Sequence, residues 1–249
     1  MKIGLLMVLA LAGSPLVYGQ DASTVGPDRP SFSISAHIVP AGHVQIEGGA
    51  GRRRFGDTFG FDVGELLLRV GLSSRVEVRA GLPTYVETRN MSTQASGWDD
   101  TTIDGKILLK SGDRGAVSAM ASAVLPTGTR SIAEHVFQPG GTLISDVNLS
   151  RKFVVTTNVG YYRLSSQGQR YNLTFAVSTL NYALAKKVSI YSEFYVLNRQ
   201  HGWLQRYAAT GGTWTVKKRT AIDLSAGFGL GNHAHGPDYY YSMGISRLF

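Results

Sequence analysis

Residues 239–249 read Tyr-Tyr-Tyr-Ser-Met-Gly-Ile-Ser-Arg-Leu-Phe, and from Tyr241 to Arg247 large and small side chains alternate. The large ones on one face are, in order, Tyr239, Tyr241, Met243, Ile245, Arg247 and Phe249. A period of two indicates a β-strand, and a terminal aromatic residue is typical of the last strand of an outer-membrane β-barrel. We therefore expect Tyr241, Met243, Ile245 and Phe249 to form the signal that a barrel-assembly machinery recognises. The long stem of Arg247 allows its charge to reach the lipid head groups.

The same alternation divides the chain from about residue 43 onward into short segments. They predict strands near residues 43–54, 64–72, 76–88, 101–110, 116–126, 141–150, 154–164, 170–182, 188–198, 205–216, 220–231 and 238–249. In the third segment Val76 and Val78 share one face, and Glu77 and Arg79 share the other. A slip of one residue would place an arginine in lipid at about 2–4 kcal/mol at the midplane, so the register is strongly determined.

The eighth predicted strand is less regular than the others. Tyr171, Leu173 and Phe175 alternate well, but Leu180 and Tyr182 fall on the opposite parity. One extra residue in a strand reverses the direction of all later side chains. The pattern therefore predicts a β-bulge near Ser178–Thr179.

Connector length supports a barrel. Connectors after even-numbered strands are short, as at residues 73–75 and 217–219, whereas two after odd-numbered strands are long, at residues 89–100 and 127–140. Short periplasmic turns and longer external loops are the habit of outer-membrane barrels. The predicted fold class is therefore all-β, a transmembrane antiparallel up-and-down β-barrel of about twelve strands in the outer membrane of a Gram-negative bacterium. The alternative, a secreted soluble β-sandwich, gives no reason for short connectors to follow even-numbered strands and long ones odd-numbered strands.

The N-terminal region predicts two further segments. Residues 1–19 resemble a cleaved signal peptide, because Lys2 precedes a short apolar core and small residues precede the expected cut. Residues 20–42 contain three prolines, at positions 27, 30 and 40, and are not expected to form a strand. They form either a periplasmic leader or a plug inside the barrel, and the apolar Phe32 favours the plug. Residues 43–249 form the predicted barrel.

Composition excludes several classes of protein. The chain has 30 Gly, 12 Tyr, 10 Phe and 17% charged residues, with no run long enough for a membrane helix and no Cys for disulfides. Its formal net charge is +8. Much of the basic charge lies in short turns such as residues 151–152 and 217–219 rather than in one stripe with stacking aromatics. We therefore expect no nucleic-acid partner.

Charged residues of both signs are expected to face the lumen of the barrel. The predicted lumen charge cluster comprises Glu65, Arg69, Glu77, Arg79, Glu87, Asp104, Lys106 and Lys110. Buried charges persist where they pair with one another or line water. The cluster is either a salt-bridged network that stiffens the barrel or a constriction whose transverse field orients small polar solutes.

Other functional sites receive little support from the sequence. His135, His201, His233 and His235 fall in external connectors, but none stands in a catalytic motif, so no enzyme is predicted. His233 and His235 lack a third ligand for a metal, and no cofactor is expected. External arginines are expected either to contact lipopolysaccharide phosphates or simply to be solvated; they are Arg52, Arg53, Arg54, Arg130 and Arg206.

Several stretches resemble one known family. They are GPDRPSFSIS at 26–35, VPAGHVQIEGG at 39–49, GELLLRVGL at 64–72, VEVRAGLP at 76–83, DGK at 104–106 and LPTG at 125–128. They resemble outer-membrane barrel proteins described as "putative MetA-pathway of phenol degradation". The resemblance runs from about residue 26 to the end of the chain. It implies an outer-membrane transporter of small molecules, apolar or aromatic ones included, and identifies no particular substrate.

The sequence as a whole predicts a monomeric channel or transporter that passes small molecules by passive diffusion. The alternative is a closed barrel that serves structure or surface interaction without transport, and an outer-membrane enzyme is a weaker alternative. The two main readings differ in one property. A transporter needs a continuous route through the lumen, whereas a closed barrel needs complete pairing of its interior charges.

Overall fold

The computed structural model describes residues 24–231 and 236–249. The expected signal peptide, residues 20–23, His233 and His235 lie outside the described residues. No helix within the described ranges is long and apolar enough to cross a membrane.

The described residues form fourteen β-strands in a single sheet. They are β1 (Val44–Phe55), β2 (Thr58–Gly71), β3 (Val76–Gly81), β4 (Tyr85–Arg89), β5 (Gln94–Trp98), β6 (Thr101–Gly112), β7 (Gly115–Leu125), β8 (Gln138–Asn148), β9 (Phe153–Ser166), β10 (Gln169–Ala185), β11 (Val188–Arg199), β12 (Leu204–Lys217), β13 (Thr220–Gly229) and β14 (Tyr239–Leu248). The sheet closes because β1 pairs with both β2 and β14.

The closed barrel has twelve positions around its circumference, which confirms the predicted fold. β3 and β4 share one position, since β2 pairs with β3 through residues 67–71 and with β4 through residues 59–63. β5 and β6 share the next position, because β5 pairs with β4 and β6 pairs with β3. Pro83 lies in the break between β3 and β4 and has no backbone N–H for a ladder. Every pairing around the barrel is antiparallel.

Most strand ends lie within three residues of the sequence prediction, and two regions differ by more. β2 begins at Thr58 rather than near residue 64, because residues 58–63 alternate as well, with Phe61 exposed and Asp62 buried. Residues 94–98, expected to be loop, form β5 by pairing with β4 in an external hairpin. Both changes extend the barrel wall on its external side.

The predicted bulge in β10 was wrong. The pairing of β10 with β9 continues without a shift from Gln169 to Tyr182, and its shift against β11 lies between Ala183 and Ala185. Val177 is buried inside the barrel, whereas Leu180 is exposed on the outside. The change of parity in the sequence arises because the external half of the lumen contains apolar side chains on this strand.

The outer surface is apolar and the lumen is polar. On β13 and β14, Leu224, Met243 and Ile245 are 62%, 60% and 55% exposed, whereas Asp223 and Ser246 are buried. Such an arrangement is the reverse of a soluble protein and matches a wall that faces lipid. Tyr241 and Phe249 also lie on the exposed face, and the Arg247 guanidinium stacks on the Phe249 ring at 5.1 Å.

Residues 24–42 lie inside the barrel and form no strand. They enter at the periplasmic end, where the Val25 N–H donates to the Lys218 carbonyl at 3.0 Å. They return to the same end, where the Gly42 N–H donates to the Gly71 carbonyl at 2.9 Å. Between these points the chain reaches Phe32, whose ring packs against β10 and β11. We call residues 24–42 the luminal segment.

Candidate functional site

A network of five buried charges ties the luminal segment to the wall. Arg69 donates to Glu77 at 3.0 and 3.1 Å and to Glu47 at 2.9 Å. Arg79 donates to Asp28 of the luminal segment at 2.7 Å, and Arg69 lies 3.2 Å from the same carboxylate. Arg69 is 2% exposed and Glu47 and Glu77 are 0% exposed, so these ion pairs are shielded from water. Removing either charge of such a pair leaves the other uncompensated.

The backbone of the luminal segment is held by side chains rather than by a strand. The N–H groups of Asp28 and Arg29 donate to Glu47 at 3.1 and 3.0 Å, and that of Val39 donates to Glu77 at 2.6 Å. Lys106 donates its ammonium protons to the carbonyls of Ser35 and His37 at 2.5 and 2.6 Å. These contacts satisfy backbone groups that would otherwise be buried and unpaired.

The opposite wall supplies further acceptors. The N–H groups of Phe32 and Ser33 donate to Glu193 at 3.0 and 2.9 Å. The Ala36 N–H donates to Asp146 at 2.8 Å. Asn158 accepts from the Ile34 N–H at 2.7 Å and donates to the Ile34 carbonyl at 2.9 Å. The luminal segment therefore bridges the two sides of the barrel.

Arg29 lies flat against the wall formed by β1 and β14. It donates to Glu65 and, at 2.6 Å, to the Ser242 hydroxyl, and it lies 3.6 Å from Asp223. A Cβ atom at Gly49 would overlap its guanidinium group. Only glycine at that position lets the arginine approach the strand so closely.

Aromatic rings cap the luminal segment on its external side. Phe32 stacks on Tyr195 with ring centroids 4.5 Å apart, and Tyr195 stacks on Tyr207 at 4.7 Å. Phe175 meets Phe32 edge to face at 5.4 Å. Tyr195 and Tyr240 share a hydrogen bond at 3.2 Å. This column of rings continues the barrier formed by the polar network below it.

A cavity lies on each side of the luminal segment. The periplasmic cavity has a volume of about 690 Å³ and is lined by hydroxyl and charged groups that include Asp28, His37 and Asp146. The external cavity has a volume of about 230 Å³ and is lined by groups that include Glu65 and Tyr195. The lumen therefore contains space at both ends with the luminal segment between.

The structure places most of the predicted lumen charges inside the barrel. Arg69, Glu77, Arg79, Asp104 and Lys106 are buried. Glu65, expected in the same cluster, bonds to Arg29 and also faces the lumen. The Nε atom of Arg79 lies 3.7 Å from Asp104, which links that carboxylate to the network.

Two expected members of the cluster face outward. Glu87 pairs in register with the exposed Phe61, because the direction of the side chains reverses at the break around Pro83, and its carboxylate accepts from the Gln94 side chain at 2.9 Å. Lys110 pairs with Val117 after a register shift that begins at Leu108, so its side chain also turns outward. A prediction from strict alternation fails at any such irregularity.

The external arginines divide between the two faces. Arg53 points inward and donates to Asp62 at 2.9 Å, and its side chain is 41% exposed. Arg52 and Arg54 lie on the outer face over the Phe59 ring, at 4.8 and 5.4 Å from its centroid. Their position at the external edge of the apolar wall suits contact with anionic head groups.

Sequence reasoning did not identify Asp28, Arg29 or Glu47 as members of the interior network. Asp28 and Arg29 were assigned to a segment of undecided position, and Glu47 belongs to a glycine-rich strand with weak alternation. A signal was present nonetheless. All three residues fall in the stretches 26–35 and 39–49 that carry the family resemblance.

The long external connector at residues 126–137 is bonded to the neighbouring external hairpins. The backbone N–H of Trp98 donates to the Thr129 hydroxyl at 2.9 Å, and the backbone N–H of Thr129 donates to the Trp98 carbonyl at 2.7 Å. Glu134 accepts from the N–H groups of Gln167 and Gly168, and these bonds lower the pKa of its carboxyl. The connector is thereby fixed to the hairpins on both sides of it.

No group of three or more His, Asp or Glu side chains within residues 24–231 and 236–249 is arranged to hold a metal ion. His135 and His201 lie in external connectors, as expected from the sequence. The charged residues that converge in the described part of the lumen form ion pairs with one another and hydrogen bonds with the backbone of the luminal segment.

The closed sheet with its apolar exterior and polar, charged lumen places the protein in the class of transmembrane β-barrels. A profile of the family described as "Putative MetA-pathway of phenol degradation" matches residues 27–237, so the chain belongs to that family. No protein with a curated description matches the sequence.

Solved structures with the same fold include three relevant barrels. The COG4313 outer membrane channel from Pseudomonas putida F1 aligns with a TM-score of 0.62 at 12% identity, covering 94% of this chain and 100% of that one. The NanC porin aligns at 0.57 and 10% identity, covering 82% and 98%. The KdgM porin aligns at 0.56 and 11% identity, covering 83% and 99%. At these identities the likeness establishes the fold.

Proposed function

We propose that this protein is an outer-membrane channel for small molecules whose resting state is closed by the luminal segment. The observation that carries the proposal is the pair of cavities, about 690 and about 230 Å³, on opposite sides of that segment. The fold shared with proteins named as porins and outer-membrane channels supports it. Passive diffusion in a Gram-negative outer membrane is the mode of transport that we propose.

The way in which the luminal segment is held supports reversible opening. Its backbone is bound by hydrogen bonds to side chains such as Glu193 and Asn158, and it contributes no strand to the wall. If the segment withdraws, water enters the lumen and hydrates the carboxylates that it leaves. Separating the luminal segment from the wall therefore costs less free energy than breaking an ion pair in a dry interior, where the remaining charge stays buried and unpaired.

A closed barrel without transport is the second candidate, and the dense pairing of Arg69 and Arg79 favours it. The incomplete pairing on β13 weighs against it, because both carboxylate oxygens of Asp223 lack a hydrogen-bond partner among the described residues. We propose the channel on that basis. Its partners would be lipid, lipopolysaccharide at Arg52 and Arg54, the barrel-assembly machinery and an unidentified solute, with one chain as the working unit.

Replacing Gly71 by valine is expected to open the channel. A Cβ atom at Gly71 would overlap the carbonyl oxygens of Val39 and Pro40, so the end of the luminal segment must move. We expect current steps of the refolded chain in a planar bilayer to become more frequent than in the wild type.

The matched control is Gly105→Val. Gly105 lies in β6, and a Cβ atom there meets nothing within 4 Å. Both variants should show the same heat-dependent shift in gel mobility that reports a folded barrel. Folded Gly71→Val that conducts no more than Gly105→Val would count against the proposed channel.

A further inference from the structure

The lumen is acidic although the chain as a whole is basic. The formal net charge of the chain is +8. Among the described residues, the buried charged side chains are nine carboxylates and three cations. They are Asp28, Glu47, Asp62, Glu77, Asp100, Asp104, Asp146, Glu193 and Asp223 against Arg69, Arg79 and Lys106. Asp100 belongs to an external connector, and the less buried Arg29, Arg53 and Glu65 join the lumen. Carboxylates remain in clear excess.

Three of the carboxylates lie away from Arg69 and Arg79, on β8, β11 and β13. Glu193 on β11 takes its hydrogen bonds from two backbone N–H groups and the Thr179 hydroxyl. Asp146 on β8 is bound by the Ala36 N–H and by the hydroxyls of Ser35 and Thr156, with the His37 ring 4.0 Å away. Neutral donors supplied in part by the luminal segment thus satisfy both carboxylates.

Asp223 on β13 is less well satisfied. Its side chain is 1% exposed, Arg29 approaches only to 3.6 Å, and neither carboxylate oxygen has a hydrogen-bond partner among the described residues. The nearby hydroxyls of Ser225 and Ser246 are also buried without a partner there. A buried carboxylate beside unpartnered hydroxyls has the donor chemistry of a site for a small cation or water.

We propose that the opened lumen selects cations and that small cationic solutes are the class that it passes. This inference rests on the proposed channel function. When the luminal segment withdraws, Glu193 and Asp146 lose the N–H donors of Phe32, Ser33 and Ala36. A passing cation takes the place of these donors, and Asp223 supplies the next anionic group along the wall.

The basic rim does not cancel this selection. Arg151 and Lys152 line the mouth of the periplasmic cavity but are exposed in a turn. Charges in water are screened over about 8 Å at physiological salt, whereas charges enclosed by a low-dielectric wall focus the field in the passage. The carboxylates inside the lumen therefore determine the sign of selectivity.

Reversal potentials of full-length Gly71→Val in a planar bilayer test the inference, first with a KCl gradient and then with tetramethylammonium chloride. We expect K⁺ and tetramethylammonium to be several-fold more permeant than Cl⁻. Adding Glu193→Gln and Asp223→Asn in the same background should lower that ratio toward unity. Glu87→Gln removes an outward carboxylate and should leave the ratio unchanged. If Gly71→Val does not fold, Phe32→Ala replaces it, because that change removes the aromatic contact and no charge.

Each outcome is decisive. Current without preference for cations, or with preference for Cl⁻, would overturn the selectivity and leave the channel standing. A ratio that Glu193→Gln and Asp223→Asn do not alter would overturn the assignment to these carboxylates. Silence of the folded wild type and of both opening variants would overturn the channel and, with it, this inference.

Discussion

Arg69→Met is expected to lower the free energy of unfolding of the barrel by about 3–5 kcal/mol, because it leaves a set of buried carboxylates uncompensated. Arg69 contacts Asp28, Glu47 and Glu77 within 3.2 Å, and Glu47 and Glu77 are fully buried. Arg79 would remain as a partner for Asp28 but lies 3.8 Å from Glu77. Urea unfolding in lipid vesicles, followed by tryptophan fluorescence, measures the change.

The matched control for that change is Arg206→Met. Arg206 is exposed on the outer face of β12, where substitutions away from special features stay within about 0.5 kcal/mol. The double variant Arg69→Met with Glu77→Gln should recover part of the loss, since it also removes one unpaired charge. Equal stability of Arg69→Met and Arg206→Met would show that the network is not buried as described.

Deleting residues 24–40 is expected to change a closed barrel into one with sustained current steps. The deletion removes no strand, and Arg69 keeps Glu47 and Glu77 as partners. It joins the cavities of about 690 and about 230 Å³ and removes Phe32 from the aromatic column. Single-channel recording of the full-length and shortened chains in the same bilayer measures the effect.

The shortened chain should conduct in larger and longer steps than Gly71→Val, because that substitution only displaces the luminal segment. Its folding is checked by heat-dependent gel mobility before recording. A shortened chain that folds and remains silent would mean that the wall itself closes the lumen. The protein would then be a structural barrel.

The architecture could be predicted from the sequence because turning a charged side chain toward lipid costs free energy, so the alternation determines which face of each strand points inward. A charge such as Arg79 or Asp223 fixes which face of its strand turns inward, and the exposed Leu224 shows the result. Prediction failed where the backbone departs from strict alternation. The break at Pro83 turned Glu87 outward, and the register shift after Leu108 turned Lys110 outward. Pro83 is the sequence signal of the first irregularity, and the second leaves no clear pattern in the neighbouring residues.

The interior arrangement was less accessible to sequence reasoning. The contact of Phe32 with Glu193 joins residues 161 positions apart, and Ile34 meets Asn158 across 124 positions. Such side-chain-to-backbone bonds depend on the closed barrel and have no local signature. The sequence therefore left residues 20–42 as either leader or plug, although the charged residues that receive the segment were mostly named.

β10 illustrates a different source of error. The alternation of Tyr171, Phe175 and Val177 predicts one face of a regular strand, and the later shift to Leu180 predicts a bulge. In the structure the inner face is apolar at the external end because Phe175 packs beside Phe32. An apolar side chain on a barrel strand therefore indicates a lipid-facing position only where the lumen contains water at the same depth.

The reactivity of a single cysteine at Ser33 tests the position of the luminal segment most directly. The chain has no natural cysteine, and Ser33 is 3% exposed beneath Thr179 and Glu193. Ser74→Cys, in an exposed turn between β2 and β3, is the reference for full access. We predict that a membrane-impermeant maleimide reacts with Ser33→Cys about 100-fold more slowly than with Ser74→Cys in the folded chain, since thiol modification requires access. Equal rates would place residues 24–42 outside the barrel and contradict the account.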